Sequence, residues 1–134
     1  GAAVSLEGIT LDRGGVRISN GASLVAIRCR MINAGWFASG AASSLKLEQC
    51  TLQGGITKCV GVSEGATAKV SDATFKDGGC WSENIVAEGP GSKIIMHRFS
   101  VEGCEGNASL AASDGATLEC EGGSVIRGNT GLLV

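Results

Sequence analysis

One pattern of apolar and variable positions recurs six times along this chain, and it constrains the fold more than any other feature. The order is apolar, variable, apolar, two variable, apolar, variable, apolar, as in Leu45, Leu47, Cys50 and Leu52. The six copies begin at residues 4, 24, 45, 68, 94 and 118, so successive copies lie 20 to 26 residues apart. A unit this short cannot bury its apolar side alone, so such units stack on one another.

The spacing inside each copy predicts β-strands. Apolar residues alternate with a period of two on both sides of the two-residue gap, and no copy of the pattern shows the 3.6-residue spacing of a helix. The gap reverses the alternation, so a bend there lets two short strands direct their apolar side chains toward one axis. A shorter apolar pair precedes each later copy and predicts a third strand: Val16/Ile18, Phe37/Ser39, Val60/Val62, Ile85/Ala87, Leu110/Ala112 and, at the end, Leu132/Val134.

Glycine-rich turns separate these strands, for example at 12–15, 20–23, 64–67 and 76–79. We therefore predict an all-β parallel β-helix of about six coils, with three short strands per coil and no substantial helix. Its backbone hydrogen bonds run between coils that lie ~4.8 Å apart. The 134 residues are predicted to form one domain, 1–134, which is a processed product or a segment of a longer chain.

Four repeated segments carry a resemblance to a known class of proteins. These are Gly-Val-Arg-Ile-Ser-Asn-Gly-Ala-Ser-Leu (15–24), Gln-Cys-Thr-Leu-Gln-Gly-Gly (49–55), Gly-Val-Ser-Glu-Gly-Ala-Thr-Ala (61–68) and Ala-Thr-Phe-Lys-Asp-Gly-Gly (73–79). They resemble the right-handed parallel β-helix proteins of the pectate-lyase-like class, over essentially the whole chain. The resemblance implies a right-handed coil, as the chirality of parallel crossovers also favours. It does not predict a reaction, because this scaffold hosts lyases, hydrolases, epimerases, adhesins and inert spacers.

Composition narrows the partner classes. The net charge of -2 argues against nucleic acid or an anionic membrane as partner. No apolar run approaches the roughly 20 residues that span a bilayer. We expect no cofactor and no metal. The compartment stays open, with a secreted or organelle-lumenal location slightly favoured over a cytoplasmic one.

Five of the six cysteines form two groups, and the sixth, Cys120, replaces an inward aliphatic residue of the repeat. Cys29 and Cys50 hold the same repeat position in successive units, and stacked strands ~4.8 Å apart place them within disulfide distance. The alternative is a pair of stacked, buried thiols that act as small hydrophobic residues. Cys59, Cys80 and Cys104 fall in connecting segments and are better candidates for oxidation. No CxxC spacing occurs, so zinc is not expected.

Stacking converts repeat positions into columns, and one edge collects charged residues of several kinds. The candidates there are Arg28, Arg30, Asp72, His97 and Arg98. Enzymes of the resembled class act on polysaccharides with carboxylates, a calcium site and an Arg or Lys base. Glu48 and Asp72 occupy adjacent bend positions, so a carboxylate pair is conceivable. No acidic pair lies within one strand, and we predict no catalytic residue. The alternative is a row of solvated surface charges.

Further candidate positions lie in the longest turn and in the outward columns. The longest turn, residues 78–84, is the best place for a grafted binding site, with Trp81, Glu83 and Asn84 as candidates. Trp36 and Trp81 either stack on sugars or cover the core, and the core is favoured. An outward column reads Thr10, Arg30, Thr51, Thr74, Ser100 and Ser124; it suggests ice binding only remotely, because Thr and Ser also suit exposed strands.

Three functions compete. We predict a non-catalytic structural or protein-interaction module, a subunit or accessory part of an assembly. The open ends of a β-helix are unpaired strand edges, which other protein chains or a missing remainder would cover. The alternative is a module that binds or processes a polysaccharide. The remote alternative is a surface adhesin or an ice-interacting protein.

Overall fold

A computed structural model describes residues 1–54, 59–77, 84–103, 110–126 and 132–133 of the chain, and the regular structure within them is entirely β-strand. The strands are β1 (Ala3–Glu7), β2 (Thr10–Ile18), β3 (Ser23–Ile27), β4 (Arg30–Ser39), β5 (Ser44–Glu48), β6 (Thr51–Gln53), β7 (Val60–Ser63), β8 (Thr67–Ser71), β9 (Thr74–Lys76), β10 (Ile85–Glu88), β11 (Lys93–His97), β12 (Ser100–Glu102), β13 (Leu110–Ser113), β14 (Thr117–Glu121), β15 (Ser124–Ile126) and β16 (Leu132–Leu133).

The first sheet contains one strand from every repeat, all parallel, in the order β1-β3-β5-β8-β11-β14. Its register follows the sequence repeat: Leu24 pairs with Leu45, which pairs with Ala68. The prediction of an all-β parallel solenoid is therefore confirmed. The coils number about five rather than six. The difference arises because six stacked strands of one sheet enclose only five complete turns.

The second sheet folds around the other two sides of the coil. Its order is β15-β12-β9-β6-β4-β7-β10-β13-β16, and β2 pairs with β4. In the first two coils the second and third strands run together as the long strands β2 and β4, which bend at Arg13 (φ 67°) and Asn33 (φ 51°). The turn predicted at 12–15 is therefore wrong as a break between strands. A left-handed residue redirects the chain there, and pairing between the strands resumes at the next residue, with Gly14 beside Ala34.

A column of left-handed residues explains how the two-residue gap of the repeat works. Every copy of the pattern has one residue with φ between 50° and 65° in that gap: Gly8, Arg28, Gln49, Asp72, Arg98 and Gly122. A single left-handed residue turns the corner and inverts the alternation, so that the strands on both sides face the same core. For the four that are not glycine this conformation costs roughly 1–2 kcal/mol each.

The inward columns form one apolar core. Its largest fully buried side chains include Trp36, Phe75, Met31, Leu45 and Leu47. The column Ile9, Cys29, Cys50, Ala73, Phe99 and Gly123 varies most in volume. The large Phe99 lies between the small Ala73 and Gly123, so neighbouring coils compensate for one another's size.

The inward pair of the second coil differs from the prediction. Register places Trp36 beside Val16 and Ala38 beside Ile18, and both Trp36 and Ala38 are buried. Phe37 and Ser39, which the sequence assigned inward, lie on the outer side and are only half-buried. The core position of Trp36 agrees with the favoured reading of that residue.

Candidate functional site

The charged edge consists of ion pairs between neighbouring coils. Arg98 Nε donates to Asp72 Oδ1 at 2.8 Å, and a second guanidinium nitrogen donates to Asp72 Oδ2 at 3.1 Å. These hydrogen bonds lower the pKa of the Asp72 carboxyl and raise the pKa of the Arg98 guanidinium. Both side chains are exposed. An exposed pair of this kind stabilises a fold only weakly.

The other predicted charges pair separately. Arg28 bonds Glu7, Arg30 donates to Gln53 Oε1 at 3.3 Å, and His97 Nδ1 lies 3.3 Å from Glu121 Oε2. Glu48 pairs with Lys46 at 2.9 Å, so its carboxylate and that of Asp72 are held by different cations. The structure thus places these residues along one edge, as the sequence predicted, but their charged groups do not converge on one point.

The longest turn contributes little that can be placed. Trp81 and Glu83 lie outside the described residues. Asn84 is fully buried, and its main-chain carbonyl accepts hydrogen bonds from the N–H groups of Cys59 (2.7 Å) and Val60 (3.1 Å). Asn84 therefore occupies an interior position, where it fixes the start of β7 against the next coil.

The stacked cysteines Cys29 and Cys50 are free thiols, and both are buried. Cys50 Sγ lies 3.5 Å from the carbonyl oxygen of Ala26 and 3.4 Å from that of Glu48. Burial raises the pKa of the Cys50 thiol. Cys59, expected in an oxidisable connecting segment, is buried as well. Cys80 and Cys104 lie outside the described residues.

The clearest departure from a closed core is at the end of the solenoid formed by the first coil. Val4 is 47% exposed and Ile9 is 39% exposed, whereas Leu24 and Cys29, which hold the same positions one coil later, are 5% and 3% exposed. Leu6 and Leu11 are only partly buried. We call Val4, Leu6, Ile9 and Leu11 the N-terminal end surface. These side chains point toward the core axis, so they are exposed only because no further coil of the described chain covers them.

The unpaired edge of strand β1 lies beside this surface. The Gly8 N–H donates to the Ile27 carbonyl, and the Ala2 carbonyl accepts from the Ser23 N–H, so even-numbered residues of this segment face β3. In a parallel ladder the intervening residues face the opposite side. The N–H groups of Ser5 and Glu7 therefore point away from β3, toward an edge that pairs with no other strand of the described chain.

Sequence reasoning missed a groove on the outer side of β4 and β7. Its volume is about 320 Å³, and its lining includes Arg17, Phe37, Gly61, Ser63 and Glu88. The Arg17 guanidinium carbon lies 5.2 Å from the centroid of the Phe37 ring. Gly61 stands between Phe37 and Val86 in the outward column, and its missing side chain forms the floor. The correct assignment of Phe37 as outward would have revealed this groove.

The hydroxyl column is in register along the second sheet, with Thr51 beside Thr74 and Ser100 beside Ser124. Arg30 interrupts it as the sequence indicated. Among the described residues, no three His, Cys, Asp or Glu side chains come together as metal ligands. That same part of the chain contains no helix long and apolar enough to cross a membrane.

No family model, no curated protein and no solved structure matches this chain. The parallel β-solenoid is therefore established by strand pairing alone. The pectate-lyase-like type stays a prediction.

Proposed function

We propose that this chain is a non-catalytic structural module that associates with other protein chains through its N-terminal end surface, the simplest partner being a second copy. The observation that carries the proposal is the exposure of core-position side chains, Val4 and Ile9, beside an unpaired strand edge. The separate ion pairs of the charged edge support a non-catalytic role, because acid–base catalysis needs groups that are close enough to act on one substrate.

The end surface offers two kinds of binding energy. Burying a Val or Ile side chain completely is worth about 1.5–3 kcal/mol, so covering the exposed halves of Val4 and Ile9 contributes roughly 1 kcal/mol each. The edge N–H groups of Ser5 and Glu7 add main-chain hydrogen bonds to an incoming strand. This combination of pocketed side chains and backbone pairing is the usual basis of strand addition at a sheet edge.

Charge at the two ends favours one arrangement of two copies. Head-to-tail stacking in the register of the fold would place Glu7 beside Glu121 of the second copy, at roughly the 4.8 Å spacing of adjacent strands. Both carboxylates are exposed, and directly opposite like charges destabilise strand pairing. We therefore propose that two N-terminal end surfaces meet, with the two β1 strands antiparallel.

Sedimentation velocity over about a hundredfold range of protein concentration tests this proposal. We expect concentration-dependent dimers, and Ile9→Lys should abolish them because it places a charge in the interface. Ile27→Lys is the matched control: Ile27 is a half-buried isoleucine on the outer side of β3, and its replacement should leave association unchanged. A chain that stays monomeric throughout this range contradicts the proposal.

The arrangement of the copies is tested by Glu121→Lys. Head-to-tail stacking predicts tighter association, because the new lysine would face Glu7. Contact between two N-terminal end surfaces predicts no change, because Glu121 lies on the last strand of the first sheet.

The groove around Gly61 supports polysaccharide binding as a second candidate function. We infer it from the aromatic ring of Phe37 next to the Ser39 and Ser63 hydroxyls and the Glu88 carboxylate, since sugar recognition combines an apolar face with polar rim groups. Affinity electrophoresis in gels that contain neutral or acidic polysaccharides provides the test. Retardation that Phe37→Ala removes supports binding in this groove, and equal mobility of both proteins in every gel contradicts it.

A further inference from the structure

A second depression lies on the outer side of the first sheet, and we infer that it binds an oxyanion of the sulfate or phosphate-ester class at Lys69. Its volume is about 410 Å³, and the polar residues that line it are Lys46, Lys69, Ser71, His97 and Arg98. This inference is independent of the proposed association, because the depression lies on the side of the solenoid, over β5, β8 and β11, and not at its end.

Lys69 is the cation at this site that lacks a carboxylate partner in the described structure. Lys46 is paired with Glu48 at 2.9 Å, Arg98 with Asp72 at 2.8 Å, and His97 lies 3.3 Å from Glu121. Lys93, one strand away on β11, is paired with Glu119 at 2.8 Å. The Lys69 ammonium group therefore has no carboxylate partner in the described structure, whereas each of the neighbouring basic side chains lies next to a carboxylate.

The register of the sheet makes this arrangement unfavourable without an anion. Lys46 and Lys69 are direct partners on the neighbouring strands β5 and β8, so two like charges are attached ~4.8 Å apart. Like charges in directly opposite positions destabilise a sheet. Glu48 already offsets the charge of Lys46, and an anion held by Lys69 would offset the charge of the other lysine.

The donor types point to a tetrahedral oxyanion rather than a carboxylate. Lys69 and Ser71 lie on β8, and His97 lies beside Ser71 on β11, so the ammonium, hydroxyl and imidazole groups are three separate donors. In the proposed complex, each donates to a different oxygen of a sulfate or phosphate group. Bidentate recognition of a planar carboxylate is the property of Arg, and the guanidinium of Arg98 already serves Asp72 in that way. Ser71 has a short side chain, which leaves room for the ligand above β8.

The chain supplies its own probe, because His97 is the sole histidine. The ring protons of His97 give one set of NMR signals, to be followed while sodium sulfate or sodium phosphate replaces sodium chloride at constant pH and ionic strength. We expect a saturable shift of these signals with both oxyanions. Sodium acetate is the carboxylate arm of the experiment, and it should produce a response at least about tenfold weaker, since it lacks the third and fourth oxygen.

Lys69→Gln is the decisive variant, and its exposed position lets the fold form without it. We expect the sulfate affinity to fall at least about tenfold, the scale of one lost charge-assisted hydrogen bond. Lys76→Gln is the control, because Lys76 is an exposed lysine on β9 outside the depression. An unchanged response in Lys69→Gln, or a response to acetate equal to that to sulfate, would overturn the inference by showing only non-specific ion screening.

Discussion

Adding one methyl group at Gly123 tests how tightly successive coils are packed. Gly123 occupies an apolar position of the last repeat, and its φ angle is not left-handed, so the backbone itself accepts alanine. The obstacle is Phe99 in the preceding coil. A Cβ atom at residue 123 would lie 2.5 Å from Phe99 Cδ1 and closer still to Cε1 and Cζ.

The magnitude follows from this overlap. Phe99 is buried among the core residues, so its ring cannot leave the contact without displacing neighbours. Overpacking of this kind costs about 1–3 kcal/mol, which we expect for Gly123→Ala. Phe99→Ala alone leaves a cavity and should cost about 3–5 kcal/mol. In the Phe99→Ala protein, however, the same methyl group enters empty space, so Gly123→Ala should become neutral or stabilising.

Urea unfolding of the wild type, both single variants and the double variant measures the coupling. A matched background is Leu45→Ala, whose cavity lies three coils away, roughly 14 Å along the axis. There the cost of Gly123→Ala should match the wild-type value within about 0.5 kcal/mol. Because the last coil can detach by itself, hydrogen exchange of the Ser124 amide is measured in parallel; this N–H donates to the Phe99 carbonyl at 3.0 Å.

One result would refute the reasoning. If Gly123→Ala has the same effect on stability and on Ser124 exchange in the wild-type and Phe99→Ala backgrounds, the two positions do not touch. The stacking register of the last coil would then be wrong.

Three further outcomes follow from single sites. Because the pKa of Asp72 is lowered in the folded protein, its pair with Arg98 stabilises the fold at pH values above the ordinary carboxyl pKa. This stabilisation is lost as the pH falls through the lower pKa of the folded state. The Arg98→Gln substitution should return the pKa of Asp72, measured by NMR titration, toward the ordinary value. In the native protein, alkylation should modify Cys120, which is exposed, before Cys50, as peptide mass spectrometry can show; equal rates would contradict the burial assignment. Gly65→Ala should lower stability by about 1 kcal/mol, because Gly65 has φ +83°, and an unchanged unfolding midpoint would argue against that turn.

Much of the fold was predictable because a period-two pattern links sequence position rigidly to side-chain direction. Leu45, Leu47, Cys50 and Leu52 are all buried, as their spacing indicated. The left-handed residue in the gap was not identified, although it explains why the alternation reverses there. Its identity varies between glycine, arginine, glutamine and aspartate, so no single residue type marks the position.

The second coil shows where alternation loses its predictive value. Trp36 and Phe37 are adjacent and both apolar, so either one satisfies a period-two pattern, and only pairing with Val16 resolves the choice. The composition of residues 12–15 is similarly typical of a turn. There the residues on both sides of Arg13 pair with β4, and tertiary pairing overrides the local preference.

The position of the charged edge was predictable from the sequence, but the pairing of its side chains was not. Repeat positions place Asp72 and Arg98 in one column because they occupy the same site in successive coils, 26 residues apart. Whether such residues form separate pairs or converge on one point depends on the rotamers of their long, exposed side chains. The grooves on the outer faces were harder to predict, because they depend on the absence of bulk, at Gly61 and Ser71, as much as on the residues around them.

Hydrogen exchange at the edge of β1 tests the central claim most directly. The N–H groups of Ser5 and Glu7 have no partner strand in the described chain, so they should exchange rapidly in dilute solution. If N-terminal end surfaces associate, these two amides become protected as the protein concentration rises, and Ile9→Lys removes the protection. Rapid exchange of both amides at every concentration, with no difference between the wild type and Ile9→Lys, would contradict the claim.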